Sequence, residues 1–194
     1  MGTRGLTMVI EQEKPVIAQY GQWDHYPSGQ GATILDFLRK NDLKAFREKL
    51  KNIRFINESE VEEIDRKSKA DKNYNWIKEY PQMSRDVGGD ILEMAMKHEG
   101  EFLLQDHSKF AGDSLFCEYA YVVDFDKNTF EIYKGFNKTP LVEGIDRFFS
   151  YFEQPEHRTD VYYPVKLLKS YSLDELPDEE QMIEDCTKKD DDDE

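Results

Sequence analysis

The sequence predicts an α+β fold: an antiparallel sheet of four or five strands, built from two hairpins plus a C-terminal strand, with a helical segment in the middle. Three observations predict it. Apolar and β-branched residues fall in two pairs of short runs, each pair joined by a polar turn. The helical periodicities sit together between those pairs and do not alternate with strands. Hydrophobic residues are only 38% of the 194, but 12 Phe and 11 Tyr supply a core of large side chains.

Residues 3–10 and 15–20 are apolar runs separated by Glu11-Gln12-Glu13-Lys14, which reads as a hairpin. Residues 21–31 form a loop, and a helix begins at Thr33. Asn41 is positioned to cap a second helix with Leu43, Phe46, Leu50 and Ile53 on one face. Asn57 and Glu60 have capping-box spacing. Residues 84–99 read as a helix carrying Val87, Ile91, Leu92 and Ala95, with Gly100 as its stop. Residues 115–123 and 129–133 form the second hairpin around Asp124-Phe125-Asp126-Lys127-Asn128. Ile145, Phe148, Phe149 and Phe152 have the spacing of an amphipathic helix, and residues 161–171 read as the last strand.

The formal net charge is −15. Residues 174–194 hold 12 acids and 2 Lys, or −10, which leaves −5 for the other 173 residues. Residues 1–173 are therefore expected to be one α+β domain and 174–194 a solvated acidic tail, since a run of like charges repels itself. An acidic body disfavours nucleic acid, whose binders place Lys and Arg against phosphate. No run approaches the ~18 apolar residues that span a bilayer, and no secretory signal pattern opens the chain. Two distant cysteines, Cys117 and Cys186, point to free thiols in a reducing, cytoplasmic setting.

The segment richest in chemistry is Tyr20-Gly21-Gln22-Trp23-Asp24-His25-Tyr26-Pro27-Ser28-Gly29-Gln30-Gly31. Glycines let backbone approach a ligand closely, and the amides of residues 32–34, at the expected helix start, favour an anion. If the first hairpin turns at Gln12-Glu13, Arg4 lies opposite Gly21 and adds a guanidinium. The candidate ligand-binding set is Arg4, Trp23, Asp24, His25, Tyr26, Ser28, Gly29, Gly31 and Thr33, for an anionic, nucleotide-like small molecule. The plainer reading is a packed turn, with Pro27 and Gly29 at their usual β-turn positions. No catalytic residue, metal site or cofactor is assigned. The glycine spacing is neither a dinucleotide fingerprint nor a P-loop. Asp124-x-Asp126-x-Asn128 lacks the Gly and Glu of a calcium loop, and none of the four His has zinc-ligand spacing with another His or a Cys.

Met1-Gly2-Thr3-Arg4-Gly5 followed by Trp23-Asp24-x-Tyr26-Pro27-Ser28-Gly29-x-Gly31 resembles the opening of uncharacterised bacteriophage and microbial proteins, with a weaker echo in residues 121–135. The resemblance implies a cytoplasmic accessory protein, in the host cytoplasm if phage-encoded, that acts in host takeover or counter-defence. It carries no activity. Three function classes follow. The first is a binder of the anionic ligand. The second is an acidic inhibitor that docks on a basic surface of a host or defence protein. The third is a small hydrolase with His25 as acid–base and Asp24 orienting it.

Overall fold

A computed structural model describes residues 2–153 and 160–187. Strands β1 (Gly5–Glu11) and β2 (Lys14–Gly21) form the expected hairpin about Gln12 and Glu13. Both turn residues have positive φ, 54° and 60°, the backbone that matches the twist of a two-residue hairpin. Neither is glycine. The Asp126 carboxylate accepts hydrogen bonds from both amides, at 3.1 and 2.7 Å, and so holds the conformation.

The chain then runs through its helical middle. Helix α1 (Ala32–Lys40) is followed by α2 (Leu43–Leu50), whose cap is Asp42; its side chain accepts from the Lys44 and Ala45 amides. Asn41 instead closes α1 by donating to the Phe37 carbonyl. Ile53 leaves the predicted helix face for a short strand, β3 (Ile53–Phe55). Helix α3 (Glu58–Ala70) starts with the predicted capping box of Asn57 and Glu60. Because α3 buries no side chain, its cap matters more than usual. Asn57→Ala is expected to cost about 1 kcal/mol, read as faster hydrogen exchange confined to the α3 amides. A short α4 (Trp76–Glu79) follows. Helix α5 (Ile91–Lys97) is half as long as its periodicity predicted, because Gly88 takes φ +54° and residues Gly88–Asp90 form a 3-10 turn. Strand β4 (Phe102–Leu104) pairs in parallel with β3.

The second hairpin is β5 (Tyr119–Asp124) and β6 (Thr129–Lys134), and the C-terminal strand is β7 (Lys166–Ser172). The sheet order is β2-β1-β5-β6-β7. It is mixed: β1 and β5 run parallel, Gly5 facing Tyr119, and every other pairing is antiparallel. The sequence predicted a wholly antiparallel sheet. The parallel pair arises because β2 ends and β5 begins at the same end of the sheet. The hairpin returns the chain to the end where β1 began, and residues 22–118 carry it to the other side of β1, where β5 starts.

Alternation divides the strands between two cores. Val9, Ile17, Tyr121, Phe130 and Ile132 face Ile34, Phe37, Phe46 and Leu92 of α1, α2 and α5. Leu6, Met8, Val122 and Tyr133 face Ala111, Leu141, Phe148 and Val165. The predicted helix around residues 145–152 is not formed. Only Phe149–Tyr151 makes a 3-10 turn, Phe148 is buried and Ile145 is 80% exposed. This segment is pinned by Arg147, which lies between Asp124 and Glu131 on the second face.

The folded body also runs past residue 173. Helix α6 (Glu179–Thr187) buries Met182 and Cys186 in the first core, and Asp185 pairs with Lys169. Charge summed over residues 174–194 hid an i, i+4 apolar pair that anchors a helix. Residues 188–194, with the closing run of five acids, lie outside the described residues. Cys117 and Cys186 are buried and form no disulfide among the described residues.

Candidate functional site

The glycine-bearing loop bends over the end of the sheet where β1 begins and β2 ends. Asp24 takes φ +57° and turns the chain back. Its carbonyl accepts from the Gln30 amide at 2.7 Å, and the Tyr26 carbonyl accepts from the Gly29 and Gly31 amides. A Cβ on Gly29 would overlap the Asp24 carbonyl, so this position requires glycine. Residues Pro27–Gly31 form a single π-turn that runs without a break into α1. The Ala32 amide donates to the Gly29 carbonyl and is therefore committed within the chain. Thr33 donates its hydroxyl to the Gly29 carbonyl at 3.3 Å. The anion-binding amides expected at the helix start thus begin one turn too late, because the helical backbone starts at Pro27.

His25 is fully buried. Its ring lies across the facing pair Gly5 and Gly21, and a Cβ on either would overlap it. Its amide donates to the Thr3 carbonyl, and its own carbonyl accepts from the Tyr121 hydroxyl at 2.7 Å. Nδ1 lies 3.1 Å from the Trp23 carbonyl. A carbonyl only accepts, so Nδ1 carries the proton. Burial pushes the His25 pKa down to about 4, against smaller opposing effects of the backbone bonds and Asp24. The imidazole is therefore neutral, with a lone pair on Nε2. Asp24 does not orient the ring, because the Trp23 carbonyl does.

Arg4 lies elsewhere. The hairpin register follows the predicted pairing only at its tip. A bulge between Val9 and Ile10 shifts it by one, so Gly5, not Arg4, faces Gly21. One residue of slip moves a side chain to the other face. Arg4 falls on the parity of Leu6 and Met8, and its guanidinium lies 4.7 Å from the centre of the Phe116 ring. His25 sits on the parity of Gly5 and Val9. The two groups therefore occupy opposite faces of β1 and do not converge on one point.

The loop leaves its two large rings outside. Trp23 is 47% exposed and Tyr26 50%. Both are fixed: Trp23 Nε1 donates to Asp86 at 2.9 Å, and the Trp23 ring covers Gly2 so closely that a Cβ there would clash. Tyr26 lies 6.3 Å from Tyr119, ring to ring. Phe116 and Phe136 are exposed at the same end of the sheet. Ser28 is exposed, and Gly31 is buried against the Tyr121 ring. Sequence reading missed Asp86, Phe116 and Tyr119, which come from distant segments. It also missed Thr7 and Gln19, polar residues at inward positions of their strands, which the alternation of β1 and β2 does mark. Among the described residues no cluster of three or more His, Cys, Asp or Glu is arranged to hold a metal. No helix among them is long and apolar enough to cross a membrane. A groove of about 560 Å³ between Tyr80, Met94, His98 and Phe102 lies away from the loop.

Compared with known proteins, the sequence matches no family model, no curated protein and no solved structure at a significant level.

Proposed function

We propose that this protein is a binding module, not a catalyst, and that the loop end of its sheet docks on the surface of a partner protein. The observation that supports this is the state of Trp23 and Tyr26: half exposed, yet each held in place by a distant part of the chain. Aromatic rings that need no further ordering are the side chains that dominate protein interfaces. Asp24 and Asp86 flank Trp23, which suits a partner with a basic rim around an apolar centre. The resemblance of the opening segment to phage proteins makes that partner a host or defence protein.

Capture with the purified chain tests this. Trp23→Ala and Tyr26→Ala should each weaken the retained complex at least about tenfold, with the melting temperature unchanged, and added salt should weaken it further. A complex indifferent to both substitutions removes the assignment. A second reading, an anionic nucleotide-like ligand, is supported by Arg4, whose guanidinium lies over Phe116 at the same end. It requires nucleotide-induced thermal stabilisation that disappears in Arg4→Ala.

A further inference from the structure

Three fully buried side-chain atoms have no hydrogen-bond partner among the described residues: Thr7 Oγ1, Gln19 Oε1 and His25 Nε2. They belong together. Thr7 faces Gln19 across the β1–β2 ladder, one same-face step inward from the Gly5–Gly21 pair on which the His25 ring lies. The Trp23 carbonyl takes His25 Nδ1, so Nε2 is the ring nitrogen left without a partner, on the ring that covers the pair next to Thr7–Gln19. Tyr121, which pairs with Thr7 on its other side, donates its hydroxyl to the His25 carbonyl. The 3-10 turn Gly88–Asp90 packs against the same two strands.

The chemistry of the three atoms restricts what can satisfy them. His25 Nε2 is a lone pair, because Nδ1 has the proton. Gln19 spends both amide hydrogens on the Tyr20 and Ser84 carbonyls, each at 3.0 Å, so the oxygen it turns inward is an acceptor. Thr7 can give or take a proton. Two acceptors cannot satisfy each other, and leaving buried polar groups unpaired is costly. The guest must donate to both acceptors and meet the Thr7 hydroxyl, which can give or take a proton.

We propose that this space is a built site for one internal water, which donates to His25 Nε2 and Gln19 Oε1 and accepts from the Thr7 hydroxyl. Three bonds are what a buried water usually makes. Through His25 and its bond to the Trp23 carbonyl, the water ties the loop to the sheet. The inference does not depend on what binds the exposed rings.

A high-resolution crystal structure of the full chain tests it. The expected result is one water peak within about 2.6–3.2 Å of all three atoms. Absence of the peak, direct bonding of the Thr7 hydroxyl to either acceptor, or density too large for water would each overturn it. Thr7→Val keeps the shape but removes the hydroxyl, and Thr7→Ser keeps the hydroxyl. In hydrogen exchange the amides of residues 25–31 should open faster in the Val variant and return toward the native rate in the Ser variant. Equal rates in the two variants would show that the methyl, not the water contact, matters there, and would overturn the coupling.

Discussion

Arg147→Met is expected to destabilise the protein by about 3–5 kcal/mol, the range for removing one partner from a buried ion pair. Arg147 reaches from an irregular segment onto the second face of the sheet. It meets both oxygens of Glu131 at 2.9 and 3.0 Å, the Asp124 carboxylate, and the Tyr133 hydroxyl at 3.2 Å. The Arg147, Asp124 and Glu131 side chains are only 14%, 3% and 8% exposed. Thr129 and Tyr133 also donate to Glu131, and the amides of Asp126 and Lys127 donate to Asp124. Without the guanidinium, two carboxylates face each other in a nearly dry space with neutral donors alone. Urea unfolding measures the loss. The variant Arg147→Met, Asp124→Asn, Glu131→Gln should recover most of it, because no buried charge remains. A single variant within about 1 kcal/mol of the parent would place the cluster among the weak surface pairs. The predicted helix over residues 145–152 does not form, so the Arg147 cluster and buried Phe148 fix that segment on the sheet.

The parts of the fold legible in the sequence were those decided by local chemistry. The capping box of Asn57 and Glu60 and the hairpin at Asp124–Asn128 each depend on residues within a few positions of one another; the turn at Gln12-Glu13 was marked by its polar residues, although the distant Asp126 holds its conformation. Features set by distant packing were not legible. Phe148, Phe149 and Phe152 have helical spacing, yet Arg147 binding to Asp124 and Glu131 overrides it. Met182 and Cys186 were masked by the acids around them until the first core showed what they bury against. At the site, the loop's glycines and aromatic residues stood out as unusual, but what the glycines pack against was not legible. Gly5 and Gly21 are small to admit the His25 ring, and Gly29 to admit the Asp24 carbonyl. A single bulge opposite Val9/Ile10, invisible in an apolar run, shifted β2 by one residue, so that Gly21 faces Gly5 and not Arg4.

Acid should release this loop before it unfolds the sheet. In the unfolded chain His25 has the ordinary value of about 6.5, and in the native chain burial lowers it to about 4. Between those values the unfolded chain holds a proton that the native chain does not. The stability contributed by neutral His25 is therefore fully present above pH 6.5 and falls as pH drops, by about 1.4 kcal/mol per unit. By pH 4 the loss is about 3 kcal/mol. His107 is also lowered, mainly by burial, and adds to the same trend. The difference between the native chain and His25→Phe isolates the His25 share: the variant should lose stability less steeply from pH 6.5 to 4. Ring-proton NMR of the native chain supplies a check that survives if the variant folds poorly, since His25 should stay neutral until about pH 4. A ring that titrates near 6.5 would mean that it is solvated and not clamped over Gly5 and Gly21. Protonation drives the ring off the Gly5–Gly21 pair toward water, and the Trp23 carbonyl that it holds goes with it. Partner binding through Trp23 and Tyr26 should then weaken over the same pH interval in which the sheet, held by its own two cores, stays folded.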